Sequence, residues 1–346
     1  MSENRRPIFQ PNELSNATVV SMRTRIITAL VAIAVVLPTV IVGDWAIFAI
    51  ISIACGLGVL EIIRCAKTKY SKVLYVIGFI LALLILYWPF FRSIPLPEGW
   101  RIFDSYNNLY ISATVLFAGI GLSAITVIVD KNFTIIDACF IFTTVFLIAF
   151  GFQCALFLRY YPMHAKDLAV LNETGVVDYC KSLPYFNGFV NAESCLLVLF
   201  VAVGACLNDA FAYFVGVFFG RNKMNERLSP KKTWEGFFGG VILTAAFLTG
   251  MALILSFCGH PVLPGVIDHQ HWFHIVALAF IIPLVSTGGD LFFSAIKRHY
   301  AIKDFSNILP GHGGILDRCD SILFAVVTVA VYVSIFAAES GGIHLP

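Results

Sequence analysis

The stretch from Ser294 to Asp320 concentrates charged residues between two long apolar runs. Its charged residues are Lys297, Arg298, Lys303, Asp304, Asp317, Arg318 and Asp320. Asp317 and Asp320 are three positions apart, so they share one face if the segment is helical. Carboxylates and cations at such close spacing suit a divalent metal that carries a polyphosphate.

A glycine-rich turn lies in the middle of this stretch. Gly311, Gly313 and Gly314 surround His312, and the exposed amides of such a turn can donate hydrogen bonds to phosphate oxygens. The alternative is an ordinary cytoplasmic loop, because loops on that side of a membrane are also rich in Lys and Arg. The ordered spacing of charged and glycine positions favours a binding site over such a loop.

A second group of residues lies earlier in the chain, between Asp209 and Gly220. Asp209, Tyr213, Gly216 and Gly220 recur on one face of a predicted helix, and the small residues let a neighbouring helix or a ligand approach closely. Asp209 lies about 17 Å below Gly220 along that helix. An ionised acid at this depth needs a polar cavity, a partner or a metal. A packing acid that bonds to a neighbouring helix is the alternative.

Two further patterns flank this group. In the sequence Ser-Pro-Lys-Lys-Thr, Pro230 is predicted to start a helix, which brings Lys231 and Lys232 near the membrane surface. Asp290 and Ser294 are spaced four apart, and Lys297 follows three positions later. These last three residues therefore share a face if their helix is continuous.

The composition indicates a membrane protein. Hydrophobic residues make up 59% of the 346 residues and charged residues 13%, whereas soluble domains have about 25% charged residues. The net charge is +2, so no electrostatic footprint predicts a nucleic-acid partner. The expected fold class is therefore an all-α polytopic membrane protein within a lipid bilayer.

Long apolar runs predict about nine transmembrane helices, since one span needs about 20 apolar residues. The predicted helices cover residues 25–43, 45–63, 73–91, 109–129, 134–158, 195–220, 235–257, 273–296 and 319–338. The expected regions are a disordered cytoplasmic arm (1–24), five helices (25–158), an outer loop (159–194), four catalytic helices (195–338) and an outer tail (339–346).

The orientation follows from the basic residues. With the N-terminus in the cytoplasm, 18 of the 23 Lys and Arg residues fall in cytoplasmic segments, as the positive-inside rule requires. Nine helices then put the C-terminus outside. The short chain without a long cytosolic tail favours a bacterial plasma membrane, with the endoplasmic reticulum membrane as the alternative.

Taken together, the three patterns resemble the signature of the phosphatidate cytidylyltransferases, the CDP-diacylglycerol synthases. The positions that carry the resemblance are Ser294, Lys297-Arg298, Lys303-Asp304, His312-Gly313-Gly314, Asp317-Arg318 and Asp320, with the Asn-Asp and Ser-Pro-Lys-Lys-Thr-x-Glu-Gly elements before them. It covers residues 205–321 and implies that CTP and phosphatidic acid react to CDP-diacylglycerol and pyrophosphate. The N-terminal helices are expected to build a homodimer contact or the lipid cavity.

The resemblance also implies roles for individual residues. The expected ligands of Mg²⁺, with a second cation such as K⁺, are Asp209, Asp290, Asp317 and Asp320. The expected catalytic residues are Lys297, Arg298, Lys303, His312 and Arg318. The expected substrate-binding residues are Asn208, Tyr213, Ser229, Lys231, Lys232, Ser294, Asp304, Gly311, Gly313 and Gly314. Metal and cations would neutralise two anionic substrates, as in other phosphoryl transfers.

Two alternatives remain at this point. A CTP-dependent lipid kinase, or a cytidylyltransferase for another lipid phosphate, would use related machinery, although a kinase needs a base near a neutral hydroxyl. An ion-coupled transporter belongs to a different class, because acids inside a membrane also mark ion pathways. The convergence of the acids on one cytoplasmic cluster favours the enzyme.

Overall fold

The computed structural model describes residues 16–65, 72–93, 133–174 and 195–339, with a few positions between 119 and 128. Within the four continuous stretches the protein forms eight helices and one hairpin. In chain order they are α1 (Asn16–Val42), α2 (Asp44–Cys65), α3 (Lys72–Ser93), α4 (Ile135–Thr174), α5 (Leu196–Phe219), β1 (Lys223–Asn225), β2 (Ser229–Thr233), α6 (Trp234–Phe257), α7 (Trp272–His299) and α8 (Leu316–Glu339).

Six helices are long and apolar enough to cross a membrane. These candidate spans are Ala46–Cys65, Ile135–Arg159, Leu196–Phe219, Trp234–Phe257, Trp272–His299 and Leu316–Phe336. Two shorter apolar stretches, Ile27–Val42 and Leu74–Tyr87, lie in α1 and α3. The helical fold with several candidate membrane spans is thus confirmed, whereas the count of nine spans stays a prediction. The helix expected over 109–129 lies mostly outside the described residues.

Two helices are longer than the apolar runs suggest. Helix α1 begins at Asn16 rather than at residue 25, so residues 16–24 of the expected disordered arm are helical. Helix α4 continues to Thr174 instead of ending at residue 158. Its extension occupies the first part of the segment expected as an outer loop, where Ala, Leu, Lys and Glu favour the helix. Residues 1–15, 175–194 and 340–346 lie outside the described part of the chain.

The segment before α6 is a hairpin, which corrects the prediction that Pro230 starts a helix. Pro230 lies within β2, which pairs antiparallel with β1. The helix begins four positions later because Thr233 caps it: the Thr233 hydroxyl accepts a hydrogen bond from the amide of Gly236 at 3.2 Å. A Ser or Thr side chain in this position satisfies an amide that has no helical partner.

Two buried apolar clusters hold the helices together. One joins α2, α3 and α4 to the ends of α7 and α8, and the other joins α5, α6 and α7 to the middle of α8. Helix α8 therefore packs in both clusters, with Leu316 and Leu323 in the first and Val326 and Val329 in the second. Helix α8, which carries Asp317 in its first turn, is therefore fixed by both halves of the chain.

Small residues bring α5 and α6 into direct contact. A Cβ atom added to Gly236 would lie 2.7 Å from the carbonyl oxygen of Ala212 and 3.1 Å from the Cα of Gly216. The neighbour at this glycine face is thus a helix, as one reading of the sequence predicted. The same face continues towards a cavity at the end of the helix pair.

Candidate active site

A cavity of about 580 Å³ opens where α5, the hairpin, α6 and α7 meet. The residues that line it are Asp209, Ala212, Tyr213, Gly216, Val217, Gly220, Lys223, Met224, Ser229, Lys231, Lys232, Thr233, Gly236, Phe237, Thr287 and Asp290. Six of the expected site residues are among them, from three separate sequence patterns. The cavity thus brings Asp209, Asp290 and the two adjacent lysines of β2 to one surface.

The hairpin and α7 are joined by an ion pair across the cavity lining. Lys232 on β2 pairs with the Oδ2 atom of Asp290, and about a quarter of each side chain stays exposed. Ser294 lies one turn after Asp290 and donates a hydrogen bond to its Oδ1 atom at 3.4 Å. The expected shared face of Asp290 and Ser294 is therefore present on α7.

Two side chains brace the hairpin from outside the cavity. The carboxylate of Glu235 accepts hydrogen bonds from the backbone amides of Arg221 and Asn222, both at 3.1 Å. Arg298 at the end of α7 donates from Nε to the carbonyl oxygen of Leu228 at 3.2 Å. Arg298, expected as a catalytic residue, thus contacts the hairpin that carries Lys232.

A buried ion cluster lies at the start of α8. The Nζ atom of Lys297 is 2.8 Å from Asp317 Oδ1 and 3.7 Å from Asp320 Oδ2, and Lys297 is only 8% exposed. The second oxygen of Asp317 accepts hydrogen bonds from the amides of Phe305 at 2.8 Å and Gly314 at 2.9 Å. Both oxygens of Asp317 are therefore engaged, and they close the loop between α7 and α8.

Ser321 connects this cluster to the cavity. Its hydroxyl donates to Asp209 Oδ2 at 3.2 Å, and its amide donates to Asp320 Oδ1 at 2.8 Å. Asp209 and Asp290 line the same cavity, and Ser321 joins Asp209 to Asp320. The structure thus brings three of the four carboxylates expected at one site together.

The donor set can be compared with what magnesium requires. Within the residues that the structure describes, no three Asp, Glu, His or Cys side chains are arranged as a ready-made metal site. Mg²⁺ is usually held by one or two carboxylates together with water and substrate phosphates. Asp209 and Asp290 supply two carboxylates at an open cavity, so the residues present are suitable ligands for Mg²⁺.

Several expected site residues lie away from the cavity. Asn208 is 1% exposed and donates to Pro283 O and Thr287 Oγ1, so it joins α5 to α7 instead of lining the cavity. This corrects its expected contact with substrate, and the reason is that adjacent positions on a helix point in different directions. Lys303, Asp304 and Arg318 are exposed outside the cavity lining.

The glycine turn is built as the sequence suggests, although it does not line the cavity. Gly311 and Gly313 have φ angles of 77° and 87°, a backbone region that glycine adopts without strain. His312 between them is half-buried, and its Nδ1 atom has no hydrogen-bond partner among the described residues. Gly314 is buried against a residue of α2, which is Glu61.

The sequence reasoning missed Glu61 near the site, and it also missed Lys223 in the cavity lining and Ser321 beside it. Glu61 is 1% exposed and contacts the start of α8 from the end of α2. A signal was present, because Glu61 is the one acid within the apolar span Ala46–Cys65, and acids inside a membrane are costly and mostly functional.

Comparisons with known proteins give a consistent result. A family model described as the cytidylyltransferase family matches residues 23–336. A phosphatidate cytidylyltransferase of Bacillus subtilis is 29% identical over 318 residues, which is 92% of this chain and 100% of that protein. One of Staphylococcus saprophyticus is 28% identical over 88% of this chain and 96% of that protein. One of Thermotoga maritima is 39% identical over 41% of this chain and 49% of that protein.

Proposed function

The chain belongs to the cytidylyltransferase family, and from that premise we propose that it transfers the cytidylyl group of CTP to phosphatidic acid. The products are CDP-diacylglycerol and pyrophosphate. Relatives that match over nearly their full length are named for this activity. The observation that carries the proposal is the cavity in which Lys231 and Lys232 face Asp209 and Asp290.

The chemistry of the reaction suits this lining. A phosphate oxygen of phosphatidic acid attacks the α-phosphorus of CTP, the bond from that phosphorus to the bridging oxygen breaks, and pyrophosphate leaves. The attacking oxygen is already anionic, so no strong base is needed. Of the described residues that line the cavity, none is a histidine. The cavity offers cations instead, which is what two anionic substrates require.

The lysines of the hairpin are the proposed phosphate ligands. Lys223, Lys231 and Lys232 line the cavity from β1 and β2, and each brings a compact positive charge that suits phosphate. Lys297 is buried between Asp317 and Asp320. Its proposed role is to hold these two carboxylates and to balance their charge beside the cavity.

A magnesium ion remains part of the proposal. Asp209 and Asp290 would hold it, with Asp320 beside them, while the oxygens of Asp317 are used by Lys297 and two amides. When bound, magnesium neutralises substrate phosphate charge and favours in-line attack. A second cation such as K⁺, and the contacts of Lys303, His312 and Arg318 with substrate, stay predictions.

The orientation is proposed from charge and from the clustering of helix ends. The ends of α2, α5 and α7 and the starts of α6 and α8 meet at the site. The basic segments 221–232 and 297–318 lie at that end, so the positive-inside rule makes it cytoplasmic, where CTP is available. A Cys introduced at Glu226 that reacts only from the outside would contradict this orientation.

Three finer expectations accompany the orientation. We propose nine spans with the C-terminus outside, a bacterial plasma membrane as the location, and a homodimer as the assembly. The bacterial relatives that match along nearly their whole length support the location. Cross-linking in native membranes would test the dimer. Detection of only the monomer at all cross-linker concentrations would contradict it.

The function is tested with the purified full-length protein in lipid vesicles. CTP and magnesium are supplied with phosphatidic acid in one set of vesicles and with diacylglycerol in a matched set. We expect a lipid-linked cytidine nucleotide only with phosphatidic acid. Product from diacylglycerol instead would support the lipid kinase, and no lipid product from either substrate would contradict the proposed function.

A further inference from the structure

The carboxylate of Glu61 crosses from α2 to the start of α8. Its Oε1 atom accepts hydrogen bonds from the Ser306 hydroxyl at 2.6 Å and from the Ile315 amide at 2.9 Å. Its Oε2 atom accepts one from the Leu316 amide at 2.9 Å. More than 240 positions of the chain separate Glu61 from each of these donors.

These contacts explain how an acid is tolerated at this depth. A buried carboxylate without partners is strongly unfavourable. The first amides of a helix have no partner within the helix, and the helix dipole favours negative charge there. Glu61 therefore satisfies amides at the start of α8, and these amides and the Ser306 hydroxyl satisfy Glu61.

The same segment carries the carboxylates of the site. Asp317 and Asp320 lie in the first turns of α8, directly after Leu316. Asp317 closes the preceding loop by accepting from the amides of Phe305 and Gly314. Glu61 and Asp317 thus both accept hydrogen bonds from backbone amides of the loop before α8 and of its start.

We propose that Glu61 is a positioning residue for the cytidylyl transfer, which sets the orientation of Asp317 and Asp320 from the N-terminal half of the chain. This inference rests on the proposed function. It gives α2 a share in the active site, although Glu61 does not line the cavity. Removing a residue that orients a metal ligand typically lowers activity about 10- to 100-fold, and we expect a loss of this size when Glu61 is replaced.

Gly314 provides a matched partner for the test. A Cβ atom at this position would lie 2.5 Å from Glu61 Oε1 and 2.7 Å from Cδ and Oε2, and these are its three nearest contacts. Gly314 is not among the residues with positive φ, so its backbone accepts alanine. Any loss of activity in Gly314→Ala should therefore come from displacement of the Glu61 carboxylate.

The test is a double-mutant cycle on turnover number and on the KM for CTP. We expect Glu61→Gln, Glu61→Ala and Gly314→Ala each to lower kcat about 10- to 100-fold with little change in KM. In the Glu61→Ala background, Gly314→Ala should lower kcat little further, because the effects of substitutions at two contacting residues are not additive. Gly250→Ala, which has nothing within 4 Å of its added Cβ, serves as the control and should match wild type.

A second measurement does not depend on activity. Hydrogen exchange of the full-length protein in detergent should rise in Glu61→Gln within residues 305–316, while exchange in α5 and α6 stays as in wild type. Uniformly faster exchange in all helices would contradict positioning and indicate general destabilisation. Wild-type turnover in Glu61→Gln, or full additivity in the cycle, would also overturn the proposal.

The outcomes separate this inference from the proposed function. If wild type forms no lipid-linked nucleotide, the proposed function fails, while the local exchange result still reports on the Glu61 contacts. If wild type is active and the Glu61 variants are equally active, the positioning role fails and the function stands.

Discussion

Lys232 on the hairpin forms an ion pair with Asp290 on α7 at the wall of the cavity. The two residues come from separate sequence patterns, one in a basic strand and the other within a membrane-spanning helix. The pair places a cation and a carboxylate where an anionic substrate and its counter-ion would meet. It also ties the only described hairpin to the helix bundle.

Replacing Lys232 should strongly lower activity with CTP. Lys232→Ala removes a charge that faces the cavity, and we expect a loss of about 100-fold in kcat/KM for CTP. Steady-state kinetics at saturating phosphatidic acid measures it. Arg227→Ala removes an equal charge from the exposed turn of the same hairpin and should stay near wild type. Equal effects of both substitutions would argue against a specific role for Lys232.

The carboxylates at the start of α8 should be essential for turnover. Asp320→Asn should lower turnover about 1,000-fold or more, because it removes a carboxylate beside the proposed metal. We expect an equally large loss for Asp317→Asn, because it weakens the acceptor of Lys297 and of two loop amides. Both variants should still insert and purify. Asp209→Asn should in addition raise the magnesium concentration for half-maximal activity. Glu226→Gln, on the exposed hairpin turn, is the control. Near-normal activity of any of the three Asp variants in magnesium alone would remove that residue from the proposed site.

A residue larger than glycine at position 236 should weaken the contact between α5 and α6. An added methyl group there meets the backbone of α5, with the nearest atom at 2.7 Å, so the helices must separate. We expect Gly236→Ala to destabilise the protein by about 1–3 kcal/mol and to lower activity through the hairpin. Gly250→Ala in the same helix meets nothing within 4 Å. Thermal unfolding in detergent should therefore separate the two variants, and equal midpoints would contradict the close packing.

Stability at low pH should depend on Asp268 in the loop between α6 and α7. Burial opposes its charge, but hydrogen bonds from the amide and ring of His271 and from the Gly265 amide outweigh that effect and lower the pKa of the Asp268 carboxyl. Its stabilising contribution is therefore complete above the unfolded pKa of about 3.9 and disappears as the pH falls through the lower folded pKa.

The measurement compares wild type with Asp268→Asn by denaturant unfolding across pH. Wild type should be more stable than the variant at about pH 5, and the difference should shrink below about pH 4. A difference that stays constant down to pH 2, or one that grows as the pH falls, would contradict the role of this carboxylate.

Helical periodicity made much of the site predictable. The shared face of Asp209 and Tyr213 and the contact of Asp290 with Ser294 follow from spacing alone, and the structure has both. Asp317 and Asp320 share the start of α8, although this helix begins at Leu316, three positions before the predicted start at residue 319. Such contacts join residues within one helix, so they can be predicted from the spacing of these residues in the sequence.

The remaining features depend on partners that are distant in sequence. Pro230 lies in a strand because Thr233 caps the helix and the hairpin pairs with itself, and no single residue signals that choice. Asn208 turns towards α7 because the neighbour of α5 on that side is a helix. The contacts of Glu61 need the fold itself, since their donors follow more than 240 positions later.

The most direct test of the central claim is the fate of the CTP phosphates. Purified protein in phosphatidic acid vesicles is given CTP labelled either at the α-phosphorus or at the γ-phosphorus, and the lipid is extracted and counted. Cytidylyl transfer predicts that the α-label enters the lipid while the γ-label is released as pyrophosphate. Transfer of the γ-label to the lipid, with the α-label left in solution as CDP, would contradict the account.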